Sequence, residues 1–503
     1  MSAGSASESD LLSPYPYLVR SPAASPVTAS ADRPYDHDAP VPERAPVPEP
    51  ATAEAAAAPA TAGPGHGGHP PMPWQQARRR ALRAAGPPLP AELLPLAEAL
   101  GGVLAAPLAA LTDLPAFDTS AMDGWAVSGP GPWLLSGELL AGQQLAGAGD
   151  GSPTLRDGTA VRIATGAQLP PGATAVLRRE DGSVRPAHGG SELLHDCGAV
   201  PLDQGRDIRP RGQECHSGEP LLPPGTAVTP AVLGLAAAAG CDLLPVHGRP
   251  TVELLVLGDE LLDSGLPRDG RIRDALGPLL PSWLRGYGAR IIAVRRVGDD
   301  LGLLRDALRR SPADVVVTTG GTAAGPVDFL HAALAEAGAR LLVDGVGVRP
   351  GHPMLLASLP PLGEADGRAD RGADATAHST ADAEQQTRGE DGAQPRRRCL
   401  IGLPGNPLAA VAGAVTLAEP LLRALAGWPQ AQPYLVRTAA PLPGHREDTR
   451  LVPVVLPPQG ALPLSYDGPA MLRGLALAEG LAVVPPGGLP AGARVEVLEV
   501  PAG

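Results

Sequence analysis

Three stretches in the second half of the chain carry an apolar run into an acidic residue. TVELLVLGDE ends on Asp259 and Glu260, ARIIAVRRVGDD ends on Asp299 and Asp300, and ADVVVTTGGTAAGPVD passes through a Gly-rich turn to Asp328. One such carboxylate has an ordinary reading as a helix cap. Three of them, after successive strands of one sheet, suggest Mg2+ or another hard cation, which takes oxygen ligands and commonly bridges phosphates. The turn at Gly320, Gly321 and Thr322 offers backbone amides beside a helix N-terminus, the makings of an anion cradle. It lacks both the GK[ST] of a Walker loop and a GxGxxG fingerprint, so the cradle and the plain cap at Asp328 both stay open. RPGHP (Arg349, Pro350, Gly351, His352) and LPGNP (Pro404, Gly405, Asn406, Pro407) form a matched pair of turns. In each, proline fixes φ and glycine permits positive φ, and Pro407 suits the start of a helix. In the first half, DLPAFDTSAMDGWAV holds Asp118 and Asp123, RIATGA puts Thr165 and Gly166 at a strand end, and RGQECHSGE places Glu214 on a Gly-bounded turn. No motif supports a serine nucleophile or a Cys–His pair.

The elements that must carry these residues follow from hydrophobic period and punctuation. Residues 1–73 are rich in Pro, Ala, Ser and Glu and too poor in large apolar groups to offset chain entropy, which predicts a disordered tail. WQQARRRALRAAG predicts a helix with Arg78–Arg80 on a solvated face, and a second helix is expected over 92–104. From 115 to 245 short apolar runs are cut by Gly and Pro, a β-rich pattern with many turns. Between 250 and 426 buried-length strands alternate with helical stretches such as LGLLRDALRR, which predicts a mostly parallel sheet covered on both faces. Ligands in such folds bind at the carboxyl ends of the strands, where the acidic and glycine motifs fall. Residues 361–398 interrupt this region with polar low-complexity text. Apolar MLLASL and RCLIGL on either side predict a hairpin with a lengthened loop, which closure entropy tolerates. The last part, 428–503, carries several short β runs and predicts a small β-barrel-like domain. The expected divisions are therefore 1–73, 74–248, 249–427 and 428–503.

Composition narrows the class of function. Of 503 residues, 53 are acidic and 40 basic, a net charge of −13, so the basic field needed to displace phosphate counterions from a nucleic acid is missing. There is no lysine: every basic residue is Arg, Asn406 is the only asparagine, and Phe117 and Phe329 are the only phenylalanines. Those residue types have AT-rich codons, so drift in a GC-rich genome accounts for their scarcity and makes the survivors informative. The four cysteines, Cys197, Cys215, Cys241 and Cys399, show no CxxC or zinc spacing and read as incidental thiols. The longest apolar stretch is taken as 231–241, short of a membrane span, and no signal pattern opens the chain, so a cytoplasmic protein with no membrane partner is expected.

Taken in order, FDTSAMDGWAV, RIATGAQLPPGA, GDEL, VVVTTGG and GLPGNP resemble the molybdopterin molybdenumtransferases, the bacterial relatives of the gephyrin E domain. The resemblance runs from about Trp74 to the C-terminus, leaving out the tail and the 361–398 insert. It implies a multidomain α/β plus β protein with an α/β molybdopterin-binding domain, usually dimeric, with the site shared between subunits. The implied substrates are adenylylated molybdopterin and molybdate; molybdenum enters at the dithiolene with help from Mg2+, and AMP is released. Matched by motif, Asp123, Thr165, Glu214, Glu260, Asp299, Asp328, Pro404 and Pro407 correspond to positions the family uses in binding or catalysis, with Glu214 standing where Asp is commoner. Asp259, Glu260, Asp299 and Asp328 are the implied metal-side acids. The 320–322 turn and both PGxP loops are the implied substrate cradle. Four positions depart from the family text: Ala323 for Ser, Leu276 for Asn, and Arg349 and His352 for Lys. Arg349 keeps the charge and anion binding; Ala323, Leu276 and His352 support an alternative reading, a non-catalytic paralogue that binds molybdopterin as carrier or regulator.

Overall fold

A computed structural model describes residues 70–139, 154–322, 329–362, 398–430 and 433–501. Asp328, Ala323, most of the tail and nearly all of the insert lie outside these residues. Met72 and Pro73, which the sequence reading puts in the tail, form a short strand pairing in parallel with Val346 and Gly347. The reason is an unpaired sheet edge there: Met72 N–H donates to the Gly345 carbonyl at 3.1 Å.

The α/β region is a six-stranded sheet in the order Arg290–Val297, Thr251–Leu257, Val315–Thr319, Arg398–Leu403, Leu355–Leu359, Arg340–Asp344. The first three pairings are parallel and the last two antiparallel. Alternation along each strand divides its side chains between two cores. Val252, Leu254, Val256, Val317, Ile401 and Leu403 face helices Leu276–Gly286 and Pro407–Leu425. Leu255, Val316, Leu400, Leu355 and Ala357 face helices Leu301–Arg310 and Leu330–Glu336. The predicted hairpin is present, with Leu355 opposite Gly402 and Leu359 opposite Arg398, so the insert leaves from a strand end.

The helix Trp74–Ala85 buries Trp74, Ala77, Ala81 and Ala85, one stripe at helical spacing, and ends at Gly86 with φ +69° ahead of two prolines. It packs on the 407–425 helix. Among the described residues that helix is the longest apolar one, 19 residues with mean hydropathy 1.5 and 78% buried, and it replaces 231–241 in that role. Length and apolarity are those of a membrane span; the burial is that of a core helix. Pro420 has no N–H to give the turn before it, and the helix loosens to a π turn over Ala414–Ala418. Trp74 Nε1 donates to Thr416 Oγ1 at 3.0 Å in the core, and Arg78 donates to the Val415 carbonyl there and pairs with Glu419 at 3.0 Å. Arg78 is thus half-buried and engaged, contrary to a solvated Arg78–Arg80 face; Arg79 and Arg80 are exposed.

The helix expected over 92–104 is a strand instead. Ala91–Pro95 pairs antiparallel with Leu243–His247, and only Leu96–Ala99 is helical. Pro90 and Pro95 deny a helix its amides, and the apolar pair Leu93–Leu94 finds a partner strand. Between these strands lies the β-rich region, a six-stranded sheet ordered Ala175–Arg178, Gly124–Val127, Thr159–Ile163, Trp133–Leu139, Glu192–Asp196, Gly182–Pro186. The C-terminal sheet is built from Tyr434–Arg437, Thr449–Val455, Gly480–Val484 and Arg494–Glu499, with Leu462–Pro463 at its side. It also takes in Val346–Arg349 from the α/β region, paired in parallel with Thr449–Val455.

Candidate functional site

The registers place the α/β motifs at one edge. Leu257 lies opposite Val297, Val256 opposite Thr319, and Thr319 opposite Leu403, so four parallel strands end together. Onto that carboxyl edge open Gly258–Glu260, Gly298–Asp300, Gly320–Thr322 and Pro404–Pro407. The antiparallel strand 355–359 begins there too, which brings in the Pro350–Pro353 turn. Gly320 and Gly321 take φ of +86° and +66°, a turn that a β-carbon would strain. Gly320 N–H donates to the Leu403 carbonyl at 2.8 Å, and a β-carbon on Gly405 would stand 3.7 Å from Gly320 Cα, so the two glycine turns touch. Gly405 and Asn406 are exposed, Gly320 and Gly321 half-buried, and Thr322 and Pro404 buried behind the edge. Asn406 sits at the cap position of the 407 helix, but its side chain makes no cap bond; the Leu408 and Ala409 amides donate to the Pro469 carbonyl at 2.9 and 3.2 Å.

The acids divide by role. Asp300 Oδ1 accepts the Leu303 amide at 2.8 Å and is a helix cap. Asp259 and Asp299 stay exposed and adjacent: the Asp259 amide donates to Asp299 Oδ2 at 3.3 Å. The Glu260 carboxylate folds back over Gly258, within 2.5 Å of where a β-carbon would lie. Among the described residues no three His, Cys, Asp or Glu side chains surround one point, so there is no all-protein metal cage. Two exposed neighbouring carboxylates nonetheless suit Mg2+, which is usually held by one or two carboxylates with substrate phosphates and water completing the shell. The donor set fits that mode.

A residue absent from the candidates appears beside them. Asp274 Oδ1 accepts the amides of Leu276 and Gly277 at 2.9 and 3.0 Å and so caps the 276–286 helix. Arg296 bonds the Leu261 carbonyl at 2.7 Å and pairs with Asp263 and Asp274 at 2.6 and 3.5 Å, tying down the loop that follows Glu260. The sequence signal for it is the Asp of GRIRDAL, two residues ahead of Leu276, which is buried in the core. Arg349 departs from a simple anion-binding role. Its Nε donates to Asp448 Oδ2 at 2.8 Å, and its peptide to Pro350 is cis.

In the β-rich region a second group assembles. Thr165 gives both its amide and its hydroxyl to Asp123 Oδ1, at 2.7 and 2.8 Å. That amide first, then the hydroxyl, with the Arg179 charge adding, holds the Asp123 carboxyl below the usual carboxylate range. The loops are laced together: Ser120 N–H donates to the Ala167 carbonyl at 3.0 Å, Ala121 N–H to the Asp207 carbonyl at 2.8 Å, and Arg211 N–H to Asp118 Oδ1 at 2.7 Å. Asp207, at φ +55°, is clamped by Arg178 through two bonds of 2.8 and 3.0 Å. Glu214 is exposed, its amide donating to the Leu114 carbonyl at 2.9 Å. Among the described residues no hydrogen bond or ion pair joins Asp123, Thr165 or Glu214 to the α/β edge. A cleft of about 670 Å³ among Pro130, Trp133, His195 and Gln204 contains none of the candidates. A smaller one of about 250 Å³ lies beside Asp263, Arg273 and Asp274.

Comparison with known proteins adds identity to this geometry. Residues 72–240 match the MoeA N-terminal region (domains I and II), 253–424 a probable molybdopterin binding domain, and 436–500 the MoeA C-terminal region (domain IV). The chain is 33% identical over 416 residues to molybdopterin molybdenumtransferase 2 of Mycobacterium tuberculosis, covering 78% of this chain and 90% of that one. It is 32% identical over 294 residues to the molybdopterin molybdenumtransferase of Synechococcus elongatus, covering 54% and 68%. The fold is that of the crystal structure of the molybdopterin biosynthesis MoeA protein of Pyrococcus horikoshii, with a TM-score of 0.63 at 23% identity over 86% of this chain and 100% of that one.

Proposed function

The chain belongs to the molybdopterin molybdenumtransferase family, and on that premise we propose that it is a transferase inserting molybdenum from molybdate into adenylylated molybdopterin, with Mg2+-dependent release of AMP. The observation that carries this reading is the convergence of four parallel strand ends and the 350–353 turn on one edge, with exposed carboxylates on one side and glycine turns on the other. The glycine turns at 320–322 and 404–407 accept the pterin and phosphates, with Arg349 and His352 beside them. Asp259 and Asp299 would hold Mg2+, with Glu260 at the same strand end as Asp259; Asp328, outside the described residues, is a further acid by motif. Bound there, Mg2+ supplies charge neutralisation at the pyrophosphate. Asp123, kept ionised by Thr165, and Glu214 help to place molybdate. Chemistry of this kind rests mainly on positioning and electrostatics, which fixed turns and a clamped carboxylate provide.

A homodimer accounts for the separation of the two groups, since the 120s loops of one subunit would complete the α/β edge of the other. Exposed apolar side chains support such an interface: Ile292 and Val294 on the sheet's outer strand, and Leu93 and Leu243 on the paired strands Ala91–Pro95 and Leu243–His247. Reaction in the cytoplasm fits a chain whose cysteines form no disulfide. The buried Leu276, which brings no polar group to the edge, favours the second reading, a non-catalytic molybdopterin-binding paralogue. Complementation of a molybdenumtransferase-deficient strain separates the two. The wild-type chain should restore molybdoenzyme activity and Asp328→Ala should not; failure of the wild type would favour the carrier.

A further inference from the structure

Asp448 sits just ahead of the strand Thr449–Val455 and is only 9% exposed. Its Oδ2 accepts Arg349 Nε at 2.8 Å, while its own amide donates to His445 Nδ1 at 3.0 Å, beside the Glu447 amide at 3.3 Å. The carboxylate is therefore fixed from its own backbone through a tight turn closed on the His445 ring. The parallel pairing of Val348 with Thr449 and Arg349 with Arg450 sets the two backbones side by side. Gly347 leaves the necessary room, since a β-carbon there would lie 3.2 Å from Asp448 Oδ1. Arg450, the neighbour in register, is turned to Asp467 at 2.6 Å.

A guanidinium has five N–H donors in a rigid fork. Here Nε is taken by a buried carboxylate, and the two Nη groups have no partner among the described residues, on a side chain that is 48% exposed. One end is anchored and the other is left to solvent, immediately before the turn that opens on the carboxyl edge. We infer that Asp448 is a positioning residue: from the C-terminal sheet it orients Arg349 so that the Nη pair meets an anionic group of the substrate, a phosphate or the pyrophosphate. The inference rests on the proposed function. The pairing lowers the net charge at the turn, so Asp448 acts by orientation and opposes simple attraction.

The test is equilibrium binding of adenylylated molybdopterin to the full chain, in wild type, Asp448→Ala, Asp448→Asn, Arg349→Ala and the Arg349→Ala/Asp448→Ala double variant, each with its thermal midpoint recorded. Asp448→Ala should weaken binding about fivefold when Arg349 is present and less than about twofold when it is absent, because groups acting as one unit are non-additive. Asp448→Asn, which keeps the shape and an oxygen for Nε, should bind closer to wild type and controls for misfolding. Wild-type affinity in Asp448→Ala, or an equal loss with and without Arg349, would overturn the inference while leaving the function standing. Tighter binding in Asp448→Ala would show that charge outweighs orientation and would overturn it as well. No binding by the wild type would remove the function and the inference together.

Discussion

Replacing Gly351 by alanine perturbs one point at which the candidate site meets the core. Gly351 takes φ +111°, and a β-carbon there would lie 2.9 Å from Met354 Cε, 3.0 Å from the Ala409 carbonyl oxygen and 3.2 Å from Ala412 Cβ. Met354 Cε is the end of a flexible chain and can yield; the Ala409 carbonyl belongs to the buried 407–425 helix and cannot. The backbone conformation costs about 1–3 kcal/mol for a non-glycine residue, and forcing a methyl into a packed core costs about 1–3 kcal/mol more. The sum, on the order of 2–6 kcal/mol, lowers a melting midpoint by roughly 5–20 °C at ~2–4 °C per kcal/mol. Gly405→Ala is the matched control from the other PGxP turn. It has no left-handed φ and, among the described residues, no neighbouring atom nearer than 3.7 Å, so its stability should change by less than about 1 kcal/mol. Its methyl would stand against Gly320, in the proposed cradle, and should abolish molybdenum insertion in a fully folded protein. Thermal unfolding followed by circular dichroism reads both. A Gly351→Ala midpoint within about 1 °C of wild type would refute the packing argument, and equal loss of stability in the two variants would refute the contrast between the turns.

Because the Asp123 carboxyl is held below its ordinary value of 3.8 by Thr165, its contribution is whole above that pH and fades only as pH falls through the lower folded value. Carboxyl NMR titration should give a midpoint below 3.8, and Thr165→Val should raise it; an unshifted wild-type midpoint would contradict the clamp. Trp74→Phe leaves the buried Thr416 hydroxyl without its donor and should cost about 1–3 kcal/mol in urea unfolding; no loss would place the bond outside the stabilising set. Asp259→Asn and Asp299→Asn should each raise the Mg2+ concentration needed for half-maximal AMP release at least about tenfold with no change in melting, and an unchanged requirement would move the metal elsewhere. Burial pushes the Cys215 and Cys241 thiols up, so a thiol reagent at pH 8 should label exposed Cys197 first; rapid labelling of Cys215 would contradict its placement.

The α/β half was legible because its signals are local and redundant. An apolar strand buried on both faces reads as a continuous run, and its end is marked by glycine, so the edge carrying Asp259, Asp299, Gly320 and Asn406 could be located from text alone. The hairpin 355–359/398–403 was legible across its insert for the same reason. What was hidden depended on distant partners. Ala91–Pro95 has helical composition between its prolines, and only the 243–247 strand makes it extended. Val346–Arg349 reads as α/β text yet pairs with the C-terminal sheet, and the hold of Asp448 on Arg349 follows from that pairing across 99 residues of sequence. Arg78 looks like one of three solvated arginines until Glu419 and the Val415 carbonyl arrive from the far end of the fold. Asp300 and Asp299 are neighbours with the same chemistry, and only the helix geometry makes the first a cap and leaves the second exposed.

The most direct test of the account follows molybdenum itself. The purified chain is incubated with adenylylated molybdopterin and molybdate, with and without Mg2+, and AMP release is measured together with cofactor able to reactivate a molybdenum-free apoenzyme. The account predicts that AMP and active cofactor appear together, only with Mg2+, and that both are lost in Gly405→Ala. Tight substrate binding with neither product, at any Mg2+ concentration, would contradict it.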